Sequence, residues 1–248
     1  ALDIGGATTD IALWKDGKPL MTQEGVLIDG YPSSIRSFLV QSIGVAGETA
    51  LRKTSHGVTI GPDRVGSSVA AGGSVTTVGD ALIALNHAHF GNEQAAIQSL
   101  EDNGILADEV ARVSVALITQ AIDQMVAQAN RQPIYVVEDL VNPHVFQPDT
   151  LVLIGGSAQA FKPILEQYTD YKVVVPQEAA VANAIGACLA RHTLELTVHV
   201  DTKRALVTVP ELGLQEENQS ILWGQAAKEY GFDLLRKQAD RLGLLVSG

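Results

Sequence analysis

The chain has 248 residues, 46% of them apolar and only 18% charged, which is enough to bury a core in one large domain or two modest ones. A net charge of -11 leaves no basic stripe to displace counterions, so neither nucleic acid nor an anionic membrane is an expected partner. No uninterrupted apolar run approaches the roughly 18 residues of a bilayer span, and residues 1–10 carry neither a basic start nor a cleavage signal; a cytoplasmic setting is expected. The single cysteine, Cys188, lacks an internal disulfide partner and lies in an apolar stretch, which predicts a buried, inert thiol. The chain opens without methionine, directly on a strand-like motif, and is expected to be part of a longer protein.

Residues 1–4 and 10–14 read as short strands separated by Gly, Ala and Thr, and Asp16, Gly17, Lys18 and Pro19 supply a turn. Residues 30–74 are rich in Gly, Ser and Pro with isolated apolar residues, which predicts short strands and ordered loops. From 78 to 131 the texture becomes helical: Val110, Val113, Leu117, Ile118, Ala121, Ile122 and Met125 recur at helical spacing. Strands are predicted at 134–137, 151–154 and 173–175, with helices starting near Ala158 and Glu178. After His192 the alternation of Leu194, Leu196, Val198 and Val200 predicts a strand paired with residues 205–209 across an Asp-Thr-Lys-Arg turn, followed by a helix over about 219–242. The pattern is α/β, divided into a lobe over residues 1–193, with a helical insertion at about 78–132, and a C-terminal strand pair and helix over 194–248.

The opening carries the first chemical signal. Asp3, Ile4, Gly5, Gly6, Ala7, Thr8, Thr9 and Asp10 place two glycines at a strand end, where the backbone can turn tightly and expose amides to a phosphate without Cβ interference. Thr8 and Thr9 would add hydroxyl donors. Asp3 and Asp10 flank the loop, where a carboxylate can hold Mg²⁺ and so offset phosphate charge. A glycine-rich hairpin with two aspartates as turn acceptors accounts for the same spacing equally well. A second signal lies at 151–158: a buried-type strand, then Gly155, Gly156 and Ser157, then a helix start, a junction where a ribose or base can lie against backbone. Ser157 is a ribose or backbone contact rather than a nucleophile, since no following glycine completes an elbow. The third signal is the Ala-rich stretch from Glu178 to Arg191, thin enough for another element to pack close, as a hinge between lobes requires. His87 and His89 lack a Cys or Glu cluster and read as surface or loop residues, as do His56 and His144. Trp14 and Trp223 read as packing residues.

In this order the three segments resemble the second phosphate loop, adenosine loop and lobe-connecting helix of the actin/Hsp70/sugar-kinase ATPase superfamily. Within it the sequence is similar to the hydantoinase/oxoprolinase family, A-subunit type, through Glu24, Gly25, Gly30, Tyr31 and Pro32, then Ser42, Ile43, Gly44, Val45, Ala46 and Gly47. Further matches are Ile60, Gly61, Pro62, Asp63, Val65 and Gly66, and Val75, Thr76, Thr77, Val78, Gly79, Asp80, Ala81 and Leu82. The resemblance covers roughly residues 1–192. It departs where Val45, Ala46, Glu48 and Thr49 dilute a glycine run, and where residues 67–73 replace a Pro-Ala-Cys-Tyr-Gly-like segment.

What the resemblance implies is an actin-like (ribonuclease H-like) ATPase lobe with a mixed sheet. The cofactors would be ATP and Mg²⁺, and the substrate a small cyclic amide of hydantoin or 5-oxoproline type. Asp3, Asp10 and Thr8 would be catalytic, with Asp3 and Asp10 on the metal; Gly5, Gly6, Thr8 and Thr9 would hold phosphates, and Gly155, Gly156 and Ser157 would face adenosine. It also implies an N-terminal lobe carrying an earlier phosphate loop, which this sequence lacks, and leaves room for a second subunit. An ATP-driven chaperone or reactivating factor, or an actin-like interaction module without nucleotide binding, is the alternative on the same fold.

Overall fold

A computed structural model describes residues 1–22, 27–28, 31–32, 37–131, 145–190, 194–221 and 224–244. It divides into two compact units, Ala1–Gly186 and Ala187–Gly248.

The first unit is built on a hairpin. Strand β1 (Leu2–Ile4) pairs antiparallel with β2 (Thr9–Ala12), and Leu2 and Ile4 point to one face while Asp3 points to the other. Asp16 and Gly17, both at positive φ, form the two-residue turn that joins β3 (Trp14–Lys15) to β4 (Lys18–Pro19). The expected packing role of Trp14 does not hold: it sits on this exposed hairpin and is half exposed. Short strands follow at β5 (Leu27–Ile28) and β6 (Tyr31–Pro32), then β7 (Val40–Ile43), β8 (Leu51–Thr54) and β9 (Gly57–Ile60). No helix occurs among the described residues up to Ser74, as the Gly, Ser and Pro content predicts.

Helices α1 (Val78–Ala84), α2 (Glu93–Asp102) and α3 (Ala107–Asn130) come next. Thr77 caps α1 with a reciprocal capping box to Asp80, and the Asn92 side chain caps α2. The 24-residue α3 is long and apolar enough in composition to cross a membrane, but Val110, Ser114, Ile118, Ile122 and Met125 form a buried stripe in the core. Strand β10 (Thr150–Ile154), helix α4 (Ala158–Tyr168) and β11 (Lys172–Val174) complete the sheet, whose order is β11-β10-β1-β2-β7. β1 is parallel to β10 and antiparallel to β2, so the sheet is mixed, and Leu2, Ile4, Ile11 and Leu153 pack with Ile118, Ile122, Met125 and Phe161. Burying each of these side chains is worth about 1.5–3 kcal/mol, which makes this apolar face the main source of the unit's stability. The strand predicted at 134–137 lies outside the described residues, as do Trp223 and His144.

The single helix expected after Glu178 is interrupted: a 3-10 turn at Ala179–Val181 precedes α5 (Ala182–Leu189). None of the residues of α5 is buried, and Cys188 is exposed, contrary to the inert buried thiol the sequence suggests. An apolar composition gives burial only where another element covers it, and no described element covers Cys188.

The second unit is a meander, β12 (His199–Asp201), β13 (Leu206–Val209) and β14 (Leu214–Glu217), with helix α6 (Gly224–Arg241). The predicted strand pair is therefore a three-stranded sheet; the Leu-Gln-Glu-Glu run of β14 carries too little apolar signal to read as a strand. β12 is also shorter than the alternation suggests. His199 faces Thr208, so residue 197 would face Pro210, which has no amide to extend the ladder. The expected turn is present, with Asp201 accepting from the amides of Lys203 and Arg204. Tyr230 of α6 donates to Glu216 of β14 at 2.8 Å, tying helix to sheet.

Candidate functional site

The loop of residues 5–8 leaves the end of β1 beside the loop of residues 155–157, because β1 and β10 are adjacent and parallel. Its carbonyls are pinned. Ser157 donates its amide to Ile4 O (3.0 Å) and its hydroxyl to Gly5 O (2.9 Å). The amides of Gly47 and Glu48 donate to Gly5 O (3.3 Å) and Gly6 O (2.6 Å), and Thr49 donates weakly to Ala7 O (3.4 Å). The supporting 44–49 segment is itself held by the α1 N-terminus, where Gly79 donates to Gly47 O at 2.6 Å. With every carbonyl committed inward, the amides of Gly6, Ala7 and Thr8 form no hydrogen bond among the described residues, and Gly6 and Thr8 are exposed. Consecutive accessible amides of this kind make an anion-binding concavity.

Beneath the loop runs a polar row on the sheet face opposite the core. Asp3 lies directly across from Asp10, and Asp10 across from Ser42 of β7, whose hydroxyl donates to it. Asn183 of α5 donates to Asp3 Oδ2 at 2.8 Å. Partial burial, and then the neighbouring charge of Asp3, push the Asp10 carboxyl above the ordinary aspartate range. Neither carboxylate has a cationic partner among the described residues, so the pair is an uncompensated negative site. Those residues contain no cluster of three or more His, Cys, Asp or Glu that could enclose a metal. Two carboxylates beside such a concavity nevertheless fit Mg²⁺, which is usually held through one or two carboxylates, phosphate oxygens and water rather than an all-protein cage.

The other predicted residues fall into two groups. Gly5, Gly6 and Thr8 sit in the open loop with Asp3 and Asp10 below. Thr9 does not: it is fully buried and donates its hydroxyl to Val45 O at 2.5 Å, because strand alternation turns it to the core face with Ile4 and Ile11. Thr9 is corrected from phosphate donor to core residue. Gly155, at φ +95°, has no room for a side chain, since a Cβ would meet Ile4 O at 2.5 Å and Asp3 Oδ1 at 2.6 Å; it seats Asp3 rather than opening onto a ligand. Gly156 has nothing within 4 Å of a Cβ position and faces open space. Ser157 is a backbone contact, its hydroxyl donated to the loop. His89 pairs with Glu93, and His56 sits in the β8–β9 turn.

Three residues escaped the sequence reading. Asn183 is the sole polar side chain between Ala179 and Ala190, a usable signal. Glu48 places Oε2 3.0 Å from a Cβ position on Gly6 and pairs with Arg64 Nη2 at 2.5 Å. Neither member of that pair carries a sequence signal, because 16 residues separate them.

Residues 1–196 match the Hydantoinase/oxoprolinase family. The chain belongs to this family. No curated protein matches it. Among solved structures it is similar to nucleotide-free acetone carboxylase, from work on ATP-dependent acetone carboxylation, with a TM-score of 0.59 at 16% identity. The likeness covers 98% of this chain and 34% of that one, so the chain spans about a third of its neighbour's length. At that identity the likeness concerns fold, and the fold is the mixed α/β, actin-like ATPase type expected from the sequence.

Proposed function

We propose that this chain supplies the phosphate- and metal-binding part of an ATP-dependent hydrolase that opens small cyclic amides of hydantoin or 5-oxoproline type. The observation that carries the reading is the set of amides at Gly6, Ala7 and Thr8, unpaired among the described residues, above the Asp3–Asp10 pair, which has no cationic partner among them. Membership of the hydantoinase/oxoprolinase family supports the cyclic amide, and the ATP dependence of the acetone carboxylase neighbour supports the nucleotide.

ATP would transfer its γ-phosphoryl group to the ring carbonyl oxygen and release ADP; water would then add to the activated carbonyl carbon, and collapse would break the ring C–N bond and release inorganic phosphate. In that scheme the loop amides and the Thr8 hydroxyl hold phosphate oxygens, and Asp3 and Asp10 would hold Mg²⁺, which when bound supplies charge neutralisation. Asn183 orients Asp3, and Ser42 orients Asp10. Gly156 leaves the adjoining surface clear for adenosine. The partners this implies are the cyclic amide and an N-terminal lobe carrying the remaining phosphate donors.

The test is ring opening by the complete protein with and without ATP. Hydrolysis that requires ATP supports the reading; ATP turnover with no ring-opened product from any cyclic amide would replace it with an ATP-driven chaperone or reactivating factor. The chain by itself should bind ATP only at about millimolar concentration and show no turnover, since one lobe supplies only part of the oriented contacts. Micromolar affinity with hydrolysis by the chain alone, measured calorimetrically, would refute the division of the site between lobes.

A further inference from the structure

Glu48 is an anomaly in a phosphate site. Its amide is fixed on Gly6 O at 2.6 Å, and its carboxylate lies against Gly6, the first of the three free amides. A carboxylate there repels the ligand those amides would attract. Arg64 compensates it: Nη2 lies 2.5 Å from Oε2, and the two side chains keep 54% and 30% of their exposure. The pair is therefore at the surface, where an ion pair contributes little and is readily exchanged for a stronger one.

We propose that Glu48 and Arg64 form a charge latch on the loop, in which an incoming phosphate displaces the Glu48 carboxylate from Arg64 and takes the guanidinium as its own partner. This rests on the reading of residues 5–8 as a phosphate loop. Three features support the exchange. The guanidinium is always charged and matches phosphate in a bidentate geometry, and a phosphate chain bears more negative charge than one carboxylate. Arg64 is brought to the Gly6 side of the loop by Glu48 itself, so it needs only a side-chain movement to reach an anion on the amides. Finally, Glu48 is anchored through its backbone, so its side chain can swing away without disturbing the loop.

Arg64 is thus a specificity residue for anionic ligands, and Glu48 is its gate. The latch would reject singly charged anions, which cannot outcompete a tethered carboxylate, and admit polyphosphates.

The experiment titrates inorganic pyrophosphate, with chloride and acetate as singly charged controls, into the wild-type chain, Glu48→Gln, Arg64→Ala and the double variant, following Gly6, Ala7 and Thr8 amide resonances. Melting temperatures should agree within a few degrees, because the pair is exposed. Glu48→Gln should tighten pyrophosphate binding by about three- to tenfold, and Arg64→Ala should weaken it by about tenfold, as expected for one charged contact. The double variant should lie between Arg64→Ala and Glu48→Gln, because it lacks the guanidinium but also the repulsion of the Glu48 carboxylate. Two results overturn the latch while leaving the loop reading in place: equal pyrophosphate affinity in all four proteins, or weaker binding in Glu48→Gln, which would make the carboxylate a direct contributor. No shift of the loop amides in any of the four would overturn the loop reading, and the latch with it.

Discussion

Asp10→Asn separates the chemical from the structural role of the carboxylate pair. Asp3 and Asp10 are direct cross-strand neighbours with no neutralising cation among the described residues. Like charges in that position cost about 0.2–1 kcal/mol, and partial exposure brings this toward the lower half of the range. The variant keeps an oxygen to accept from Ser42, so it removes the repulsion without creating an orphan donor. In a chain of this size about 0.5 kcal/mol corresponds to at most about 2 °C, and the change should be a rise in melting temperature.

The sign follows from the raised Asp10 pKa. Folding favours the protonated carboxyl, so the wild type is unpenalised below the ordinary aspartate value and loses stability as pH rises through the folded value. The advantage of Asp10→Asn should therefore be present at pH 7 and absent below about pH 4. In the complete protein, ATP turnover should fall by about a hundredfold or more, the equivalent of about 2.7 kcal/mol of lost transition-state stabilisation. Calorimetric melting of the chain at both pH values and steady-state turnover of the complete protein are the two assays. Normal turnover, or a melting temperature many degrees lower, would show that Asp10 is structural and refute the reasoning.

Thr9→Val should cost about 1–2 kcal/mol, because Val45 O is left without its donor, and should leave pyrophosphate affinity unchanged; weakened binding would return Thr9 to the site. Gly155→Ala should cost about 3 kcal/mol, about 6–12 °C, from its positive φ and the clash with Ile4 O and Asp3, whereas Gly156→Ala should be close to neutral in a thermal melt. Asp80→Ala should be similarly damaging, since the buried carboxylate accepts from the amides of Val69, Ala70 and Thr77 and from the Thr77 hydroxyl; limited proteolysis should then cut within residues 67–73.

What the sequence could and could not reveal divides along a physical line. Periodicity made α3 legible, and glycine placement made both loops and the start of α4 legible, because each is a property of a few consecutive residues. The third strand of the second unit was hidden because a paired, half-exposed strand of Leu, Gln and Glu needs no strong apolar alternation. Cys188 and Trp14 were misjudged because burial depends on what covers a side chain, and residue type alone does not supply the cover.

Within the site the same distinction separates Thr8 from Thr9. Two adjacent threonines after a glycine pair look alike as hydroxyl donors, yet the strand begins between them. Once residue 9 enters the ladder opposite Ile4, the pleat sends its side chain to the core, and a hydroxyl there must find a carbonyl. Thr8, one residue earlier, remains in the loop, with its amide and hydroxyl unpartnered among the described residues. The boundary of β2 therefore decides which threonine can meet a ligand, and strand boundaries are among the least legible features of a sequence. The Glu48–Arg64 pair is less legible still, since 16 residues separate its members and only the folding of β8 and β9 back on themselves brings the charges together. Asp3 shows the converse. Alternation in β1 turns Asp3, between the buried Leu2 and Ile4, away from the core, and the register of β1 with β2 and β10 fixes both its neighbours, Asp10 and Gly155.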